Sequence, residues 1–326
     1  MKKHVTKILW LVMAVMFTAV PVTYAAEVVL YSSNPSELQD MVRVGFEKKT
    51  GIKVSAVKMG TGEAMKRIQA EKDNPLCDVF WSGDVAVLDG AKEYFMSYQS
   101  PEAAVLPPGY VEKDYRWTSS NAHVMIIMYN KSLVGESEKP KAWKDLFETR
   151  WKGKIVMANP EKSGSAYAQA YGVYKLYGWE GVKKLIENAK ILDSSSLIYK
   201  GVAAGEYPLG ITMEYAAYRY IAGGSEDVGI IYPSDGSFVA PEGAAIIKNC
   251  PHPKEARLFF DYLISKSTEE EIFENFYRRP ARPDTAGFAG LPKISDIAVL
   301  KEFDPIEANA LKNDLLAKWK EIILSK

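Results

Sequence analysis

Two hydrophobic rhythms alternate along this chain. Short apolar runs closed by Gly, Ser, Asn or Pro predict strands, and the apolar positions that follow recur at three- and four-residue spacing, which predicts helices. "VVLYSS" predicts a strand and leads into "NPSELQDMVRVGFEKKTG". There Asn34 is placed to cap, Pro35 suits the first helical position, Glu37 follows three after the cap, and Gly51 stops the helix. Leu38, Met41, Val42 and Phe46 form its apolar face. The strand "IKVSAVKMG", the loop "GTGE" and the helix "AMKRIQAEKD" repeat the unit. "CDVFWSGD" follows as a buried strand, with "VAVLDGAKEYF" as its helix. Strand–loop–helix units in series predict a parallel sheet with helical crossovers.

The rhythm returns later. "GKIVMANP" predicts a strand and "EKSGSAYAQAYGVYKLYG" its loop and helix; "PLGITME" leads to "YAAYRYIAGG", and "DVGIIYP" is a further strand. Between these halves lies "TSSNAHVMIIMYNKS", an apolar strand of the kind that crosses between domains, and "VAPEGAAIIKNC" reads as the return crossing. Two amphipathic helices, "HPKEARLFFDYLIS" and "TEEEIFENFY", precede a last helix from Asp304-Pro305, with Ala308, Leu311, Leu315, Trp319 and Ile322 in register. The expected fold class is α/β: two hinged lobes, each a mostly parallel sheet flanked by helices, joined by two crossover strands. Residues 26–122 and 243–295 would form the first lobe and 123–242 the second, with C-terminal helices 296–326 packing on the second. Ligands in open α/β sheets bind beyond the carboxyl ends of the strands, so two facing lobes predict a cleft.

The amino terminus changes the picture. Lys2, Lys3 and Lys7 precede an apolar run at 8–20 that is short for a membrane span, and small residues follow. That pattern predicts a cleaved export signal ending at Ala25, with Ala26 as the alternative end. The whole chain has 41 basic and 41 acidic side chains; removing the three lysines leaves 38 against 41, a net charge of −3. No basic excess points to nucleic acid. No later stretch is long enough to span a membrane, so the expected product is a periplasmic monomer. Cys77 and Cys250 read as two buried thiols, with a disulfide between them as the alternative in an oxidising compartment.

Four loops at predicted strand ends carry the candidate chemistry: "YSSNP", "GTGE", "WSGD" and "EKSGSAY". Each is rich in Ser, Thr or Gly and leads into a helix. Free N–H groups at a helix start, with hydroxyls beside them, bind anions even without Lys or Arg. Plain helix capping accounts for any one such loop; four aimed at one cleft favour a ligand. The candidates are Ser32, Ser33 and Asn34; Thr61 and Gly62; Ser82, Gly83 and Asp84; and Ser163, Gly164 and Ser165. Glu214 and Asp235, at or after strand ends, are placed to accept from hydroxyls or an amine. Tyr215 joins them, while Tyr218 and Tyr220 read as an aromatic helix face. Of the histidines, His4 lies in the leader, His123 in an apolar strand and His252 beside Pro251, none with a second His or Cys at ligand spacing. No nucleophile elbow or Ser/His/Asp set stands out, so neither a cofactor, nor a metal, nor an enzyme is expected.

Taken together, "GTGEAMKRIQAEKDNPLCDVFWSGD", "NPEKSGSAYAQ", "PLGITMEY" and "EGAAIIKNCPHPKEARLFFDYLIS" resemble the ferric-ion-binding branch of the periplasmic solute-binding proteins that serve ABC importers. The resemblance spans nearly the whole chain after the leader. It implies the two-lobed type II fold, a permease partner and capture by hinge closure. Ferric members use a His, a Glu and two adjacent tyrosines; their positions fall here on Pro35, Gly83, Tyr215 and Ala216, so one donor of four survives. The "SGS" turn is similar to one that holds a synergistic anion in ferric members and organic phosphates in others. In the hexose-phosphate binder, acidic groups hold sugar hydroxyls near Glu214 and Asp235. The expected ligand is thus a phosphorylated sugar or a phosphonate, with its head on Ser163, Gly164 and Ser165, and ferric ion as the alternative.

Overall fold

The computed structural model describes residues 26–286 and 290–325, so the leader read at 1–25 lies outside the described residues. β1 (Glu27–Ser32), β2 (Lys53–Lys58) and β3 (Val79–Asp84) pair in parallel, joined by α1 (Ser36–Thr50) and α2 (Thr61–Ala70). α1 buries Leu38, Val42 and Phe46 at four-residue spacing. Its cap differs from expectation: Pro35 occupies the cap position, and Asn34 is buried behind it. α2 begins at Thr61, so "GTGE" supplies the helix's first turn, where Glu63 complements the amino-terminal dipole. α3 (Val85–Asp89) is a short helix that Asp84 caps by accepting from the Ala86 N–H.

β4 (Thr118–Asn130) is buried at all thirteen positions. Its side chains alternate, as a strand buried on both faces requires: Met125, Ile127 and Tyr129 enter one core, while Val124, Ile126 and Met128 enter another. β5 (Ile155–Ala158) pairs in parallel with β6 (Ala189–Leu192) and with β7 (Leu209–Met213), and β7 runs antiparallel to β4. α4 (Gly164–Asn188), α5 (Ser195–Ala203) and α6 (Glu214–Ala222) make the connections. The β6–α5 pair went unread in the sequence, although "ILDSSSLIYK" follows the same strand–loop–helix rhythm. β8 (Val228–Ile231) and β9 (Phe238–Ile246) both pair antiparallel with β4, and β9 also pairs with β3. The sheet order is therefore β2-β1-β3-β9-β4-β7-β5-β6.

Three hydrophobic cores follow from this order. The first joins β1–β3 to α7 (Pro253–Leu263) and α8 (Lys266–Phe276), with Phe46 edge-on to Phe259 at 5.0 Å. The second, on one face of β4, β5 and β7, stacks Trp143 on Phe238 at 4.7 Å. It also takes in Ala308 of α9 (Pro305–Ala310) and Leu315 and Trp319 of α10 (Lys312–Leu324), two helices where one was expected. The third packs Ile198, Val202 and Ala217 on the opposite face. Cys77 and Cys250 are both buried and both free.

The middle of the sheet is irregular in one place. The β3–β9 register shifts between Trp81 and Gly83, and the β4–β9 register shifts between Ser119 and Asn121. The first bulge faces Gly243–Ala244 of β9 and the second Glu242–Gly243, and Ser82 inside the first has φ 83°. A Cβ on Gly243 would stand 2.6 Å from the Thr118 carbonyl oxygen. Bulges bend strands and re-aim side chains, and here they turn Ser82 and Glu242 toward a common cavity.

Candidate functional site

The cavity has a volume of about 560 Å³ and is lined from both ends of the sheet. One wall is built by two helix starts. Ser163 caps α4 by accepting from the Ala166 N–H at 3.3 Å, and Ser194 caps α5 by accepting from Ser196 at 3.3 Å. These starts converge: the Ser163 and Ser195 hydroxyls are 2.6 Å apart, and Ser165 lies 3.0 Å from each. Three hydroxyls in a triangle, over two sets of first-turn N–H groups, form a neutral receptor for an anion.

The opposite wall is a hydrogen-bonded chain. The Thr61 hydroxyl donates to Ser33 Oγ at 3.1 Å, Ser33 lies 3.1 Å from Ser82 Oγ, and Ser82 donates to Glu242 Oε1 at 2.7 Å. Glu242 Oε2 then meets Arg278 Nη1 at 2.8 Å and His123 Nε2 at 3.1 Å. Burial alone would raise the Glu242 carboxyl, but His123, Arg278 and the Ser82 hydrogen bond outweigh it and bring it down to about 2. The Arg278 guanidinium lies over the Tyr215 ring at 4.4 Å and donates to its hydroxyl at 3.3 Å. Burial pushes Tyr215 up to about 12 against the pull of Arg278, so the phenol is neutral. Lys58, Lys200 and Arg219 stand at the lining as further cations, and Lys162 is paired with Asp193 at 2.7 Å.

The structure brings together Ser33, Thr61, Ser82, Asp84, Ser163, Gly164, Ser165 and Tyr215 of the predicted set. The other six stand elsewhere, each for a physical reason. Ser32 is fully buried and accepts from the Asn34 N–H at 3.2 Å. Asn34 is fully buried too, its carbonyl held by Gln39 at 2.7 Å. Gly62 is in the first turn of α2, outside the lining. Gly83 serves packing: a Cβ there would meet Phe80 at 2.7 Å and Leu88 at 3.0 Å.

Two of the three predicted carboxylates are corrected. Glu214 is 1% exposed and clasped by Arg279 at 2.6 and 2.7 Å, with the Tyr232 hydroxyl donating at 2.6 Å. Asp235 accepts from the Trp143 and Lys144 N–H groups and the Tyr177 hydroxyl, so it caps a helical turn away from the cavity. Neither is free to read a ligand. Of the positions implied for ferric donors, Pro35 lines the cavity without a donor, and Ala216 is fully buried. Sequence reasoning missed His123, Glu242, Arg278, Arg219 and Ser195. Only Ser195 had a local signal, in "DSSS" after a strand; His123 and Glu242 come from the crossing strands β4 and β9, Arg219 from α6 and Arg278 from the segment after α8.

Comparison with known proteins bears on this arrangement. The sequence pattern of the family described as bacterial extracellular solute-binding protein matches residues 74–296. Iron uptake protein A1 of Synechocystis sp. is 26% identical over 299 residues, which cover 85% of this chain and 80% of that protein. A protein of Salmonella paratyphi A named for periplasmic 2-aminoethylphosphonate binding is 22% identical over 257 residues, covering 73% of this chain and 72% of its own length. The structure of the periplasmic binding protein AfuA from Actinobacillus pleuropneumoniae, with exogenous fructose-6-phosphate bound, matches with a TM-score of 0.85. It is 22% identical and covers 92% of this chain and 99% of that one.

Proposed function

The chain belongs to the bacterial extracellular solute-binding proteins and has the type II periplasmic-binding fold, and on that premise we propose that it captures a small organic anion with a phosphate or phosphonate head. The observation that carries this reading is the triangle of Ser163, Ser165 and Ser195 at two converging helix starts. The head sits there, and Arg278, Tyr215 and Arg219 contact the rest of the molecule. Residues 26–122 with 243–295, and 123–242 with the C-terminal helices, act as lobes that close on the ligand by hinge bending. The protein works in the periplasm after loss of residues 1–25 and hands its cargo, as a monomer, to an ABC permease. The names of the relatives support binding and transport rather than turnover.

Iron(III) is served less well. Glu242 is already neutralised by Arg278, Tyr215 is held neutral, and Arg278 donates to the Tyr215 hydroxyl, the atom that a trivalent cation would have to reach. The test is calorimetry with fructose 6-phosphate, 2-aminoethylphosphonate and ferric citrate, on wild type and on Ser163→Asp/Ser165→Asp. Binding of a phosphorus compound that the double variant loses, by a hundredfold or more, supports the proposal; charge-assisted hydrogen bonds at about 1.5–3 kcal/mol each account for that size. A stoichiometric visible colour with ferric citrate that disappears in Tyr215→Phe overturns it.

A further inference from the structure

We propose that Asp84 selects the ligand's head group by sharing one proton with the oxyanion on the α4 turn, so that phosphate is accepted and sulfate rejected. The proposal rests on the anion-site reading above and gives Asp84 a role different from the one its sequence position suggested. Three observations put Asp84 beside the turn that takes the head group, with one carboxylate oxygen free. Asp84 lines the same cavity as Ser163 and Ser165. A Cβ built on Gly164, between those serines, would touch the Asp84 Cβ at 3.5 Å. Oδ1 accepts from the Ala86 N–H at 2.9 Å, and among the described residues no hydrogen bond reaches Oδ2.

An ionised carboxylate beside a bound anion repels it unless a proton lies between them. The charged groups that face Asp84 do not remove this conflict. Lys312 of α10 is the facing cation, yet it lies beyond ion-pair distance and burial weakens its own charge. Glu242 of β9 adds negative potential, and Tyr167 of α4 presents a phenol that burial keeps neutral. Burial raises the Asp84 carboxyl to about 7, against the Ala86 N–H and Lys312. Near neutral pH the shared proton therefore has two sources. Inorganic phosphate brings its own P–OH, as does a phosphate monoester or phosphonate taken up as its monoanion (second pKa about 6 for a monoester), and that P–OH donates to ionised Asp84 Oδ2. Sulfate has no proton to bring and binds only when Asp84 is protonated and donates to it.

The probes are inorganic phosphate and inorganic sulfate, measured by calorimetry at pH 5.5 and 8.5 on wild type, Asp84→Asn and Asp84→Ser. Asn and Ser both remain able to cap α3, and ligand-free thermal melts check their folding. In wild type at pH 8.5, phosphate should bind at least tenfold tighter than sulfate. Sulfate affinity in wild type should fall at least tenfold from pH 5.5 to 8.5, and either substitution should remove most of that fall. The share of any other cavity group persists in the variants. Wild type that binds sulfate equally at both pH values, or variants that keep the full fall, overturn the selector and leave the anion site standing. Wild type that binds neither anion at either pH overturns the anion site itself, and the selector with it.

Discussion

At the scale of single residues, this cavity is governed by how charges are compensated. Glu242 and Arg278 are 8% and 3% exposed, and each would be costly to bury alone. Glu242 is also held by His123 and Ser82, so one carboxylate ties together β3, β4 and the segment after α8. Its carboxyl sits at about 2 when folded, against 4.5 for a free glutamate side chain. A depressed carboxylate contributes stability that is present above the unfolded value and lost as pH falls toward the folded one, a contribution of about 3 kcal/mol for this shift. Urea unfolding at pH 7 and pH 2.5 should show Glu242→Gln with a pH-dependent stability loss smaller than wild type by that amount. Equal losses would show that Glu242 is not held down in the native state. The same residues explain what the sequence concealed. Ser163, Ser165 and Thr61 announce themselves because a hydroxyl before a helix is a local pattern. Ser82 and Glu242 are 160 positions apart, and His123 and Arg278 are 155 apart, so no spacing rule joins them. Glu214 misled for the opposite reason: an acid at a strand end looks available until Arg279, 65 positions away, is seen to clasp it.

Elements were legible where periodicity was clean and obscure where one residue broke it. β4 declared itself by a long apolar run, and α1 by its four-residue stripe. α4 was expected to stop at Gly178; instead it continues to Asn188, through a kink with φ 61° and ψ −163° at that glycine. That backbone region is open to glycine almost alone. Nothing lies within 4 Å of a Cβ built there, so any cost of substitution arises in the backbone. Gly178→Ala should therefore destabilise the protein by about 1–3 kcal/mol, with ligand affinity nearly unchanged because the site sits at the other end of the helix. Denaturant midpoints with a constant slope would measure the first effect, and calorimetry the second. A variant as stable as wild type would show that the kink relaxes into a regular helix.

At the scale of the whole molecule, the proposed lobes meet at more than the two crossing strands. α9 holds on to both sides: its Glu307 takes the Tyr171 hydroxyl at 2.9 Å and Lys175 at 2.7 Å on α4, while Asn309 donates to Asp89 of α3 at 3.3 Å. A closing motion that pivots on the bulges beside Glu242–Gly243 has to keep or break the α3–α9 contact, because α3 follows directly from β3 and α9 is anchored to α4. The Asn309–Asp89 hydrogen bond joins α9 to α3 in the arrangement that brings both walls of the cavity together, and it therefore favours closure. Removing it by Asn309→Ala should weaken the closed form by about 1 kcal/mol, which lowers apparent ligand affinity about fivefold without any change in the groups that touch the ligand. Small-angle scattering should then show a larger radius of gyration for the ligand-free variant and the wild-type radius at saturating ligand. Unchanged affinity together with an unchanged ligand-free radius would mean that α9 travels with one lobe only, and that closure is controlled by the two crossing strands alone.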